Sequence, residues 1–365
     1  MAEAARKSNA KRKSQDIGGR IRTLVDRTIQ RNINGASYFL TPDPPVGQTR
    51  HDVIHRRGTL QLFHYHPMSD EVYRTPILIV TPTTNRSYAL DMMPGVSFVE
   101  FLLKAGYDVF LMDWQPPQPE EKSLTLEDYS QTFISECLDI VRRTTGEDEV
   151  SLVGYCMGGV LASIFTASFQ CEGVRNLVVF TTPVDFTEMG MFTKVTDKKH
   201  FDVDRLVDQI GNIPPNFVFQ GFQMTDPAGR SAAQIGLWRK MWDSDFVENY
   251  RKYDRWSTDM LPLAGEYFRD TVKQLMWENG LYEGTLRVGG KSANLRNITV
   301  PFFHAQAQHD SLVLPAASKP LIDLVGSDDK TDLVLKGGHV SLVCGASAVG
   351  RLWPALDDWL SERSA

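Results

Sequence analysis

Cysteine is scarce in this chain: four residues in 365, at Cys137, Cys156, Cys171 and Cys344. No C-x-x-C pair occurs, and no Cys/His cluster has zinc-ligand spacing, so neither a metal site nor a disulfide framework is expected. So few thiols in a chain of this length point to a reducing, cytoplasmic setting. Long apolar runs are missing too. No stretch of about 18 apolar residues offers a transmembrane helix. The N-terminal "MAEAARKSNAKRKSQD" is basic and polar with no apolar segment behind it, unlike a secretory signal. Excess positive charge is also absent. The formal net charge is −6, which argues against nucleic acid as the main partner, because phosphate recognition relies on clustered Lys and Arg.

What is present is an ordinary globular composition, 42% hydrophobic and 23% charged. The length suits one large domain with an insertion, or two domains. Residues 1–16 read as a solvated, disordered arm. Ile17, Ile21, Leu24, Val25 and Ile29 fall at helical spacing and predict an amphipathic helix over 17–35.

From about residue 50 the pattern alternates between strand and helix. "TLQLFHYH" (Thr59–His66) alternates polar and apolar residues. "TPILIVTP" (Thr75–Pro82) is a continuous apolar run, as in a strand buried on both faces of a parallel sheet. "VSFVEFLLKAG" predicts a helix stopped by Gly106. "YDVFLMDW", "EVSLVGY" and "VRNLVVFTTP" predict further buried strands. A long helix lies between the first two, with Thr125 as its N-cap and Asp128 in its first turn. Between 184 and 290 the rhythm breaks into irregular helical pieces rich in aromatic residues, Met, Gly and Pro. It resumes with "ITVPFFHAQAQHD" and "DKTDLVLKGGH", and a closing helix is predicted from Ser341 to about Leu360. This is the layout of an α/β-hydrolase fold, with a mostly parallel sheet: core over 17–183 and 291–365, and a mainly helical cap inserted over 184–290.

"SLVGYCMGGVLA" (Ser151–Ala162) is the chemical centre of that layout. A strand runs into G-x-C-x-G and then an apolar helix, so Cys156 sits where this fold presents its nucleophile on a strained turn. Gly154 and Gly158 leave room where a Cβ would collide. A helix N-terminus favours the thiolate. The backbone N–H of Met157 is placed for one half of an oxyanion hole, and an N–H near Thr84, in "TTNR", for the other.

A thiol nucleophile needs a base and an orienting acid, which follow it in the order acid, then histidine. Four histidines follow Cys156. His339, on the Gly-rich turn "LKGGHVSL", is the expected base. His200 reads as surface, His304 as packed core, and His309 as a loop residue beside the acid. Asp310, closing "FFHAQAQHD", is the expected acid. Asp323, Asp328 and Asp329 read as solvated charge, Asp185 as structural, and Asp113 precedes the nucleophile.

Beyond the triad, "LVGYCMGG", "PTTNRSYALDMMPGVSFVEFLLKAGYDVFLMDW", "LTLEDY", "TTPVDF", "NGLYEGTLRVGGKSANLRNITVP" and "GGH" resemble the catalytic subunit of the polyhydroxyalkanoate synthases, bacterial and archaeal polyester polymerases, over about residues 50–360. The resemblance implies an acyltransferase with no bound cofactor. Its substrate would be a (R)-3-hydroxyacyl coenzyme A thioester and its product a polyester. Cys156 would hold the growing chain as a thioester, His339 would accept the thiol proton, and Asp310 would orient or help to activate. The short stretch ahead of residue 50 is similar to the class III type, so a second, non-catalytic subunit is implied as partner, with homo-oligomers and a location at the surface of polyester granules. The family usually carries a His directly after the acid, whereas here the order is His309–Asp310–Ser311. A thiol suits such chemistry, because exchange between thioesters is nearly isoenergetic and a serine ester would be a deeper trap. Water must then be excluded, and the aromatic insertion, with Trp238, Trp242, Tyr250, Tyr253 and Trp256, offers a lid and channel. Two alternatives use the same residues: a Cys-dependent thioesterase or ester hydrolase of the same fold, and a non-catalytic granule-associated or scaffold protein.

Overall fold

A computed structural model describes the backbone of residues 2–225 and 227–364, and the side chains from residue 19 onward apart from 21, 227, 228 and 230. The chain divides into two compact units: residues 1–45 with 227–257, and residues 46–226 with 258–365.

The larger unit is built on one sheet. Its strands are β1 (His51–Arg57), β2 (Leu60–Tyr65), β3 (Ile77–Val80), β4 (Val109–Trp114), β5 (Val150–Tyr155), β6 (Val174–Phe180), β9 (Phe302–Ala307) and β10 (Lys330–Leu335). They lie in the order β1-β2-β4-β3-β5-β6-β9-β10. The six from β4 to β10 are parallel, and β1 and β2 pair antiparallel at one edge. β7 (Arg287–Val288) and β8 (Lys291–Ser292) form a separate small hairpin. The apolar runs land where continuous hydrophobicity requires: every residue of β3, β4, β5 and β9 is buried. β1 was not singled out in the sequence. It is a half-exposed edge strand, and "HDVIHRR" carries the charge that edges tolerate.

Local signals set the helix ends. α2 (Phe98–Lys104) starts at Ser97, whose side chain accepts from Glu100 N. It stops as Gly106 takes φ +93 and the N–H groups of Gly106 and Tyr107 close back on Leu103 and Leu102. The helix that ends with α3 (Phe133–Thr145) is entered at Thr125, whose N–H and hydroxyl both donate to Asp128 at 2.8 Å.

Strand order fixes the position of the active crevice. The chain leaves β3 towards β4 on one side, then returns through α3 to β5 on the other. The carboxyl ends of β3 and β5 therefore flank the topological switch point of the sheet, where open α/β sheets bind ligands.

The inserted segment divides between the two units. α5 (Met191–Val195), α6 (Val203–Ile210), α7 (Pro215–Thr225) and α10 (Gly265–Asp270) belong with the sheet. α8 (Pro227–Lys240) and α9 (Ser244–Thr258) lie instead, up to residue 257, with α1 (Ala2–Leu40). There Leu237, Met241 and Val247 form a small core against Tyr38, Phe246 and Tyr250, and the buried Asn34 donates to Met241 O at 2.8 Å. Residue 1 lies outside the described residues, and the arm expected to be disordered over 1–16 is helical backbone from Ala2 on, continuous with the helix expected from 17. Its Ala, Glu, Lys and Arg are good helix formers. The apolar stripe on that helix is not a core face as drawn: Leu24, Val25 and Ile29 are exposed, and the Ile17 and Ile21 side chains lie outside the described residues.

The sheet and α4 (Met157–Ser168) approach so closely that a Cβ on Gly158 would run into the Val80 carbonyl. Gly158→Ala is expected to lower stability by about 1–3 kcal/mol, read as a lower urea midpoint; an unchanged midpoint would show that the approach is not a constraint.

Candidate active site

Cys156 lies between β5 and α4 with φ 53 and ψ −123, a conformation that side-chain-bearing residues rarely adopt. Its N–H donates to Phe180 O of β6 at 2.9 Å, and its carbonyl accepts from Gly159 N and Val160 N, the start of α4. A Cβ on Gly154 would strike the backbone of Gly159, so both expected glycines are needed for close approach.

The acid and base come from neighbouring strand ends. Asp310 follows β9, and His339 follows β10. Gln308 N donates to Leu335 O and His309 N to Gly337 O, which ties the two loops together. Asp310 Oδ1 accepts from Leu312 N and Val313 N, each at 2.9 Å, and its Oδ2 lies 2.8 Å from His339 Nδ1. A carboxylate can only accept, so Nδ1 carries a proton and Nε2 is left for the thiol. Cys156 lies close enough to the ring for its charge to act on it. The fold brings the three candidates, far apart in sequence, together, with His339 hydrogen-bonded to Asp310 and beside Cys156, and each is at most 8% exposed.

Burial opposes charge on His339, but the Asp310 carboxylate and the Cys156 thiolate, with their hydrogen bonds, outweigh it and raise the imidazole to about 10. Tyr155 packs against this ring in a tilted arrangement at 5.2 Å between centroids, a contact without a signal in the sequence beyond adjacency to Cys156.

Met157 and Thr84 both line the cavity into which Cys156 opens. Neither backbone N–H is among the hydrogen-bond donors of the described residues, and Thr84 O is held by Leu261 N at 2.8 Å. Both are therefore positioned as candidates for an oxyanion hole.

The cavity measures about 340 Å³ and is lined mainly by apolar side chains, among them Phe186, Phe192, Phe217, Phe222, Phe268 and Met276. These were missed. The aromatic residues expected there lie elsewhere: Trp238, Trp242, Tyr250, Tyr253 and Trp256 fall in the smaller unit, where Arg31 and Arg27 sit over Trp238 and Trp242. The sequence signal for this lining is the density of Phe and Met over 186–224 rather than the Trp and Tyr of 238–256.

The other polar candidates are structural. His304 is fully buried between Asp332 and Ser318. His200 and His309 are exposed. Asp185 accepts from Thr187 and Asn279. Asp113 accepts from Ser87 and Gln115, and burial pushes its carboxyl up.

A family model for the alpha/beta hydrolase fold matches residues 89–345, and a model for the N-terminus of poly-beta-hydroxybutyrate polymerase matches residues 40–102. The poly(3-hydroxyalkanoate) polymerase subunit PhaC of Haloferax mediterranei is 34% identical over 93% of this chain and 69% of its own length. That of Allochromatium vinosum is 33% identical over 87% of this chain and 90% of its own. The chain belongs to the poly(3-hydroxyalkanoate) polymerase family. Solved structures confirm the fold alone: the soluble variant of monoglyceride lipase from Saccharomyces cerevisiae matches with TM-score 0.54 at 12% identity, covering 88% of this chain and 97% of that one. In this polymerase-family chain Cys156 stands at the turn between β5 and α4. Among the described residues no helix is long and apolar enough to cross a membrane, and no group of three metal-ligating side chains gathers.

The raised His339 value fixes a pH dependence. A group whose folded value exceeds its unfolded one contributes its full stability below the ordinary imidazole value, about 6.5. That contribution is lost as pH rises through about 10. Asp310→Asn removes the main cause. The stability difference between wild type and Asp310→Asn, from urea midpoints, is therefore expected to be largest near about pH 5 and to narrow steadily towards alkaline pH; a constant difference would contradict the assigned ion pair.

Proposed function

We propose that Cys156 carries the growing polyester as a thioester in a polyhydroxyalkanoate synthase, with His339 as proton carrier and Asp310 as its orienting acid. Family membership supplies the reaction class, acyl transfer that builds a polyester. The observation that carries the mechanism is the 2.8 Å His339–Asp310 hydrogen bond beside Cys156, which itself lines an apolar cavity.

The steps follow from the geometry. The Cys156 thiolate attacks the carbonyl carbon of a (R)-3-hydroxyacyl coenzyme A thioester. The oxygen gains charge facing the Met157 and Thr84 N–H groups. The bond to coenzyme A sulfur breaks, and the departing thiolate takes the Nε2 proton of His339. The 3-hydroxyl of the next monomer then attacks the acyl-enzyme, gives its proton to His339 Nε2, and an ester forms as the Cys156 thiolate leaves. The lengthened chain, now a coenzyme A thioester, reloads onto Cys156. An apolar cavity favours the alcohol over water at the second step, which sets polymerisation above the hydrolase alternative.

The relatives' names describe them as subunits, which supports the reading that a second subunit completes the active assembly. A chain tethered at Cys156 would also keep the protein at the surface of its own insoluble product.

Incubation with (R)-3-hydroxybutyryl coenzyme A is expected to release coenzyme A and deposit polymer together. Release with soluble hydroxy acid alone would establish the hydrolase instead. Cys156→Ala should lower release by at least about a thousandfold; retained activity would rule out the nucleophile. Addition of the partner subunit should raise the rate, and equal rates with and without it would remove that part of the proposal.

A further inference from the structure

Five hydroxyl-bearing residues line the cavity: Thr83, Thr84, Thr196, Tyr267 and Thr271. The disposition of their protons separates one from the rest. Thr84 donates to Asn85 Oδ1, Thr196 to Phe192 O and Thr271 to Tyr267 O. Thr83 donates to the Tyr267 phenol oxygen at 3.2 Å. Tyr267 therefore accepts a hydrogen bond, and it is the only one of the five hydroxyls whose own proton has no acceptor among the described residues. The other polar side chain in the lining, Gln220, is exposed.

Tyr267 is 2% exposed and held from several sides. Its ring packs on Tyr129 with centroids 4.4 Å apart, and its hydroxyl is fixed by Thr83, at the carboxyl end of β3. A buried phenol with an unspent proton costs stability unless a ligand takes that proton. Burial raises the phenol to about 12, and the nearby Cys156 charge adds to the rise, so it stays a donor across the working pH range.

We propose that Tyr267 is a substrate-binding residue that donates a hydrogen bond to the 3-hydroxyl oxygen of the acyl group, and so selects 3-hydroxyacyl over plain acyl thioesters. The acyl carbonyl already has its donors at Met157 and Thr84 in the reading above, on which this inference rests. The 3-hydroxyl is the remaining polar atom of a short hydroxyacyl group, and the cavity is otherwise apolar.

The test is single-turnover release of coenzyme A from (R)-3-hydroxybutyryl coenzyme A and from butyryl coenzyme A, which lacks the hydroxyl. Wild type should prefer the first. Tyr267→Phe should acylate about tenfold to a hundredfold more slowly with the hydroxylated substrate, and the preference ratio should collapse towards one. The paired variant Thr83→Val/Tyr267→Phe removes donor and acceptor together, leaves no buried hydroxyl unpaired, and should show the same collapse if the single variant folds poorly. An unchanged ratio overturns the proposal. So does an equal fall with both substrates, which would place the phenol on the carbonyl or the thiolate. Wild type that releases coenzyme A from neither substrate overturns the synthase reading itself, and is told apart from these outcomes because it does not depend on residue 267.

Discussion

Everything about this site depends on one backbone conformation. Cys156 is held at φ 53 between a central strand and a buried helix. That state is costly for a residue with a Cβ, and it persists because its surroundings leave no alternative. The Cys156 N–H is taken by β6, its carbonyl by the first turn of α4, and the glycines on either side let β5, α4 and β3 meet at backbone distance. Relaxing the turn would carry the thiol away from His339 and lift α4 off the sheet. The strain thus couples the chemistry to the packing of the whole parallel sheet.

The remaining parts answer needs that this turn creates. A thiol alone at a helix N-terminus needs a proton acceptor, and β9 and β10 deliver acid and base on loops bound to each other through their backbones. A buried imidazole needs a counter-charge, which Asp310 provides while its second oxygen is held by two N–H groups. The proposed acyl-enzyme would need protection from water, and helices α5, α7 and α10 contribute to an apolar lining shared with Cys156. The unusual position of His309, ahead of the acid, leaves the triad geometry intact. That side chain is exposed, and only its backbone serves the site.

Much of this was legible in the sequence because it depends on short-range rules. Strands buried on both faces are mostly apolar, which marked β3, β4 and β5 most clearly. A nucleophile at a strand-to-helix turn must have small neighbours, and the order nucleophile, acid, histidine then selected Asp310 and His339. What was not legible depends on tertiary arrangement. β1 is paired but half-exposed, so its polar pattern hides it. The two-residue strands β7 and β8 are too short to carry a period. Above all, richness in aromatic residues shows that a segment will be packed, but not against what. Trp238, Trp242 and Tyr250 pack around α1, while Phe186, Phe192 and Phe222 line the cavity.

The pairing of the N-terminal helix with residues 227–257 has a consequence in time. Asn34 hydrogen-bonds Met241, 207 residues further along the chain. A protein made from its N-terminus at about 5–20 residues per second would leave the first helix waiting for its packing partner for at least ~10 s, while strands β1 to β6 are completed in between. The helix is therefore made long before the segment that encloses it, and a chaperone or a partner chain would have an extended opportunity to engage it in that interval.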